Sequence, residues 1–317
     1  MDAKFVKTTL TAAVLLLFLS GCGGNTPNGR TVADGGRLKV VTTFYPMYYF
    51  TQQVGGTHAE VVALIPPGAE PHDWEPSAKD MRQIKEADIF VYNGIVEGWA
   101  EQALESAANG KRLAVEASKG IADLEGIPEE EEGGGEEAHE DGHLTDPHVW
   151  LNPVTAQKEV EAIEAAFEKA DPANQADYRK NADDLIAKLK ALDADYQSGL
   201  QNAKRKTFVT QHAAFAYLAK QYGLTQIPIA GLSPDQEPSP DQMAEIVKFA
   251  KDHQVKTIFF ETLVDPKVAR TVADEIGAKT DVLNPLEGLT DEDKKNGLDY
   301  IGIMKNNLEA LKRALNE

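Results

Sequence analysis

The sequence predicts an α/β protein of two lobes, each a parallel sheet flanked by helices, joined by one long rigid helix. Three observations predict it. Short β-branched and aromatic runs alternate with helical stretches, the pattern of parallel strands linked by crossover helices. The alternation comes in two series, separated by a stretch, 173–203, that holds no proline and glycine only at 199. Within that stretch Leu185, Leu189, Leu192, Tyr196, Leu200 and Ala203 recur at steps of three and four, one face of a helix. Such a helix spans roughly 45 Å. That is long for an element inside one lobe and suits a connector that packs on both and resists large relative motion.

The chain opens on a basic pair, Lys4 and Lys7, followed by an apolar run, 10–19, in which only Thr11 is polar. A membrane span needs about 20 apolar residues, so this run reads as the core of an export signal over residues 1–21. It ends in Leu19-Ser20-Gly21-Cys22. Small residues before a cysteine resemble a bacterial lipoprotein cleavage box. Cys22 is the only cysteine, so an internal disulfide is excluded and lipidation of Cys22 is expected. Residues 22–37 follow as a flexible tether rich in Gly, Asn, Pro and Asp.

The first lobe is expected over 38–171. Its strands are read at 38–44, 60–65, 89–92 and 113–115, with helices at 80–87 and 99–109, and Pro66-Pro67-Gly68 breaks the chain after the second strand. The connecting helix is assigned to 172–203. The second lobe, 204–317, has strands at 207–210, 226–229, 257–260 and 281–283. Its helices lie at 213–222, 240–253, 266–276 and 300–315. No repeat relates the lobes at the level of sequence.

Composition narrows the function. The 51 acidic and 32 basic side chains give a net charge of −19. Nucleic-acid recognition needs basic patches, so it is not expected. An acidic, exported chain does suit cations.

Three histidines follow apolar runs: His72 in Pro71-His72-Asp73-Trp74, His148 in Asp146-Pro147-His148-Val149-Trp150, and His212 in Gln211-His212-Ala213-Ala214. Strands at 61–65 and 208–210 precede the first and third; the strand before His148 is less distinct. Ligands in open α/β sheets bind outside the carboxyl ends of strands, and imidazoles delivered there suit a transition metal, Zn2+ first. A closed tetrahedral site needs a fourth ligand. Two acids stand just past second-lobe strands, Glu261 and Glu287, and position does not choose between them. His58, in a turn, and His253, at a helix end, are expected to be inert.

Residues 129–143 hold eight carboxylates, three consecutive glycines, His139 and His143, without apolar periodicity. They are expected to form a surface loop. A mixed His and carboxylate tract binds metal loosely, and this one ends five residues before His148, so it is read as an accessory zinc-collecting arm.

Together the lipobox-like segment, Pro71-His72-Asp73-Trp74-Glu75-Pro76-Ser77, Asp146-Pro147-His148-Val149-Trp150-Leu151-Asn152-Pro153, and Gln211-His212-Ala213-Ala214-Phe215-Ala216-Tyr217 with Tyr222-Gly223-Leu224 resemble the metal-binding solute-binding lipoproteins of ABC importers, the ZnuA/AdcA/TroA type. The resemblance covers the chain from Leu38 onward. It implies a metal site in the cleft between lobes, with one histidine from each motif and the fourth ligand from a late second-lobe loop. Glu287 then becomes the fourth ligand, and Glu261 an acid supporting the site. The manganese branch of the family tends to carry two carboxylates; three histidines favour zinc, as does the Irving–Williams order. The resemblance also implies a permease and a cytoplasmic ATPase as partners, and a monomer lipid-anchored at the outer face of the cytoplasmic membrane. Other readings are a manganese- or iron-binding member of the family, a zinc hydrolase with three histidines and an open position, and an adhesin stabilised by zinc. A His-Glu-x-x-His spacing occurs once, at His139-Glu140-Asp141-Gly142-His143, but in a glycine-rich acidic tract without helical periodicity, so the chain is read as a carrier and not an enzyme.

Overall fold

The computed structural model describes residues 36–121, 145–235 and 238–317. The export signal, Cys22, the tether up to residue 35, and the acidic loop with His139 and His143 lie outside the described residues.

The first sheet contains β1 (Leu38–Thr42), β2 (Ala59–Ala63), β3 (Ile89–Tyr92) and β4 (Leu113–Glu116). All pairs are parallel, in the order β2-β1-β3-β4. The second contains β5 (Thr207–Thr210), β6 (Thr225–Pro228), β7 (Thr257–Phe260) and β8 (Lys279–Val282), also parallel, in the order β6-β5-β7-β8. The two orders correspond, so each sheet has its topological switch between its first and third strands. That is where open α/β sheets form a ligand crevice.

Helices link and flank the strands. They are α1 (Tyr45–Gly55), α2 (Ala78–Glu86) and α3 (Ala100–Ser106) in the first lobe, then α4 (Pro153–Ala170) and the connector α5 (Gln175–Leu200). The second lobe adds α6 (Ala216–Gln221), α7 (Pro240–Asp252), α8 (Lys267–Ile276), α9 (Asp291–Lys295) and α10 (Tyr300–Asn316). Their starts are written locally. Ser77, Ser239 and Thr290 each close a capping box over α2, α7 and α9. Asn152 caps α4, with Pro153 at its first position.

Strands β3, β5 and β7 lie where the sequence places them, and β8 begins two residues earlier than predicted. Three helices fall outside the predicted set. α1 is packed with aromatic residues and shows little amphipathic contrast. α4 buries Ala156, Val160, Ile163 and Phe167 at steps of three and four, a signal present in the sequence. α9 is a single capped turn that buries no residue.

The connector is 26 residues long, about 39 Å. It starts later than predicted because Pro172 opens a short 3-10 turn, Pro172–Asn174. It packs on α1 and α4 on one side and α10 on the other. Its buried stripe is Tyr178, Ala182, Leu185, Leu189, Leu192, Tyr196 and Leu200, and each large apolar member contributes about 1.5–3 kcal/mol by leaving water. The main core runs without a break from Leu38 and Phe44 through Trp150 and this stripe to Tyr300 and Leu311. The lobes thus share one core along the connector, which makes large hinge motion costly. Gly288 marks a close approach on the other side of the cleft. A Cβ there would stand 3.5 Å from the Gly68 nitrogen and 3.7 Å from the Ala69 carbonyl, so the second-lobe loop lies directly against the first.

Candidate metal centre

All the candidate residues but His148 sit on loops at a strand's carboxyl end. His72 lies in the β2–α2 loop and His212 directly after β5. Glu261 follows β7 and Glu287 follows β8. Among the described residues no regular strand directly precedes His148; it opens the 3-10 turn Val149–Leu151 ahead of α4.

The structure brings His72, His148, His212 and Glu287 together, with one ligand atom from each lying within 4.8 Å of all the others. The Nε2 atoms of His72, His148 and His212 stand 3.2, 3.4 and 3.3 Å from Glu287 Oε1. The Nε2 atoms of His148 and His212 are 3.3 Å apart. Ligands about 2.0–2.1 Å from a tetrahedral zinc ion lie about 3.3 Å from one another, so four of the six edges have zinc's dimensions. His148, His212 and Glu287 are buried, and the His72 side chain keeps 11% exposure. The cluster therefore opens to solvent on the His72 side.

Carboxylates behind the imidazoles fix their orientation. His148 Nδ1–H donates to Asp146 Oδ1 at 2.7 Å, and the His148 backbone N–H donates to the same oxygen at 2.9 Å. His212 repeats the arrangement with Glu261 Oε1, at 2.5 Å from Nδ1 and 3.0 Å from the backbone nitrogen. A proton held on Nδ1 leaves the Nε2 lone pair facing the cluster. Glu70 accepts the backbone N–H of His72 at 3.1 and 3.0 Å. Glu261 thus stands behind His212 and outside the set of converging atoms. Asp146 and Glu70 were not singled out from sequence. The available signal is an acid two residues before His72 and before His148.

Nitrogen lone pairs and a carboxylate oxygen repel at 3.3 Å, so these atoms are held together either by imidazole protons or by a metal ion among them. The electrostatics agree. Burial alone would make Glu287 harder to ionise, yet the charge of His212 and hydrogen bonds from the three imidazoles hold it well below the usual carboxylate range. Burial would likewise lower His212, but Glu261 and Glu287 push it up to about 10. His148 is raised too, as Asp146 and Glu287 outweigh its burial. Metal binding requires neutral imidazoles, so a metal must displace any protons these groups hold.

A family model described as the periplasmic component A of a zinc-uptake complex, ZnuA, matches residues 40–314. The chain belongs to this family. It is 51% identical over 304 residues to the high-affinity zinc uptake system protein ZnuA of Bacillus subtilis, covering 96% of this chain and 95% of that protein. It is 46% identical over 312 residues to the zinc-binding lipoprotein AdcA of Streptococcus pneumoniae, covering 97% of this chain and 60% of that one. The crystal structure of the Zn(II)-bound ZnuA-like domain of the Streptococcus pneumoniae AdcA matches with a TM-score of 0.76 and 44% identity, over 89% of this chain and all of that domain. These likenesses extend across both lobes and the connector, so the family assignment does not rest on the histidine motifs alone.

The remaining histidines sit elsewhere. His58 pairs with Asp177 at 2.8 Å, and His253 stacks on Phe249 and bonds its carbonyl. Beside His72, the carboxylate oxygens of Glu70, Asp73 and Asp235 come within 4.8 Å of one another. They draw acids from both lobes to the open side and favour the approach of cations.

Asp146→Asn and Glu261→Gln test the orienting role. Each keeps shape and weakens the hold on the Nδ1 proton. Each is expected to lower metal affinity about 10- to 100-fold, as measured by competition with a chelator of known affinity. Wild-type affinity in both variants would remove these acids from the site.

Proposed function

We propose that this chain captures Zn2+ outside the cytoplasmic membrane and hands it to the permease of an ABC importer driven by a cytoplasmic ATPase. The observation that carries the reading is the convergence of three Nε2 atoms and one carboxylate oxygen at the edge lengths of a zinc tetrahedron. His72 and His148 come from the first lobe, 38–171, and His212 and Glu287 from the second, 204–317. The ion then ties together two lobes already braced by the connecting helix, 172–203. Four protein ligands close the shell and leave no position for a reactive water, which supports carriage over hydrolysis. Three imidazoles and one carboxylate favour zinc over manganese.

The deciding experiment offers the purified protein equimolar zinc and manganese and measures bound metal by elemental analysis. One zinc per chain with manganese excluded is the expected result. Bound manganese, or zinc that hydrolyses model esters and peptides, would overturn it.

The proposal extends to the N-terminal segment. No helix among the described residues is long and apolar enough to cross a membrane. Retention at the membrane is assigned to lipid on Cys22, after removal of residues 1–21, with 22–37 as tether. Cys22→Ser is expected to move the protein into the soluble extracytoplasmic fraction without changing zinc affinity, since the tether precedes both lobes. Fractionation with immunodetection checks it, and a variant that stays membrane-bound rules the lipid anchor out. The loop at 129–143, with His139 and His143, is assigned a weak accessory role in collecting zinc for the cleft.

A further inference from the structure

Trp150 stands two residues after His148 on the first lobe, yet the second lobe holds its polar groups. Its indole N–H donates to the Pro285 carbonyl at 2.8 Å. Its own carbonyl accepts the Tyr300 hydroxyl. Its ring packs against the His148 imidazole, 5.1 Å between centroids, and meets Phe44 edge-on at 4.9 Å. The side chain is fully buried.

Pro285 lies two residues before Glu287. Between them Leu286 is buried in the left-handed region, with φ 61°. Residues bearing a side chain keep that conformation only where their surroundings hold it. The loop's own lobe supplies part of the hold. Asn284 accepts the Leu286 N–H at 2.8 Å, and Asn307 clamps Asn284 by two bonds, of 2.9 and 2.7 Å. The other part comes from across the cleft, through the indole.

We infer that Trp150 is a positioning residue for metal capture: from the first lobe it sets where the second-lobe carboxylate of Glu287 stands relative to His148. The inference rests on the four-residue site proposed above. One side chain ties the imidazole it packs against to the loop that carries the acid. Even the small parting of the lobes that the shared core permits would lengthen the indole–carbonyl bond and loosen the turn at Leu286, so the carboxylate leaves the ion as the cleft opens. Release of the metal is then gated by a neutral hydrogen bond as well as by the ligand bonds themselves.

A double-mutant cycle on the full chain tests this, reading zinc affinity by chelator competition and zinc release by stopped flow. Trp150→Phe keeps a ring against His148 and Phe44 and removes the N–H donor. It is expected to lower affinity about ten-fold, because the buried Pro285 carbonyl loses its partner, and the loss should lie mainly in faster release. In a Glu287→Ala background the same change should cost at most about two-fold, since the group it positions is gone. Trp99→Phe is the matched control: the Trp99 indole N–H has no partner among the described residues, and affinity should hold. Tyr300→Phe frees the Trp150 carbonyl and supplies a second route if Trp150→Phe folds poorly. It should show the same direction and the same dependence on Glu287. Equal losses with and without Glu287, or unchanged release in both variants, would overturn the inference and leave the site assignment standing. Wild-type affinity in Glu287→Ala alone would overturn both.

Discussion

His148→Ala and His212→Ala each lower zinc affinity by about a hundred- to a thousand-fold. Structural zinc sites bind with about 10–16 kcal/mol near neutral pH, and a closed tetrahedral shell divides that among four ligands. Loss of one buried imidazole also strands the acid behind it: Asp146 loses the Nδ1–H at 2.7 Å, and Glu261 the one at 2.5 Å. A buried acceptor left without its donor adds its own cost. His72→Ala acts in the same direction, but its side chain borders solvent, where water can occupy the vacated position. Glu287→Ala costs less than any histidine change, because water replaces a carboxylate oxygen more readily than an imidazole. Isothermal titration with chelator competition resolves the order. A Glu261→Ala variant as damaged as the histidine variants, beside a silent Glu287→Ala, would reverse the choice of fourth ligand.

Zinc raises the melting temperature of the purified chain by about 10 °C when supplied at roughly a thousand times its dissociation constant. A ligand that binds only the folded state stabilises it by about 4 kcal/mol at that excess, and one kcal/mol shifts a protein of this size by about 2–4 °C. An ion held at the proposed site would bridge both lobes, so both should unfold together and later. The shift depends on pH in a known direction. Zinc requires neutral imidazoles, whereas His212 carries a raised affinity for protons, up to about 10, and His148 is raised as well. Binding therefore releases protons, and acid competes with the metal. The zinc-dependent shift should shrink as the pH is lowered from about 8 to about 6. Differential scanning calorimetry with and without a chelator measures it. A shift that is independent of pH would mean that the buried imidazoles are not where zinc binds.

Much of the fold and site was legible because it is written in local chemistry. Parallel strands buried on both faces are short β-branched and aromatic runs, and β3, β5 and β7 are recognisable as such. The connector's apolar stripe repeats at helical spacing with nothing to break it. The histidine motifs stand out because proline and aromatic residues fix the loops that carry them. Less was legible where periodicity is weak, as in the aromatic α1. Contrast is weak there because the polar Thr51 is enclosed with Met47, Phe50 and Val54, while the less buried side carries the aromatic Tyr45 and Tyr48 beside Gln52 and Gln53.

The sequence by itself determined the two series of parallel strands, the connecting helix, the three imidazoles and the acidic, export-type character of the chain. These follow from residue type and spacing along one chain. Residue type and spacing alone left Glu261 and Glu287 open; the family resemblance pointed to Glu287, and only the tertiary structure shows where each carboxylate stands. Both are acids just past a second-lobe strand, and distance along the chain does not tell which carboxylate faces the converging Nε2 atoms. Folding puts Glu261 behind His212, bonded to Nδ1, and Glu287 at the point where the imidazoles meet. The tertiary structure alone also joins Trp150 to Pro285 across 135 positions of sequence. Such a contact depends on how the two lobes close against one core, and no local signal in either segment records the partner it will meet.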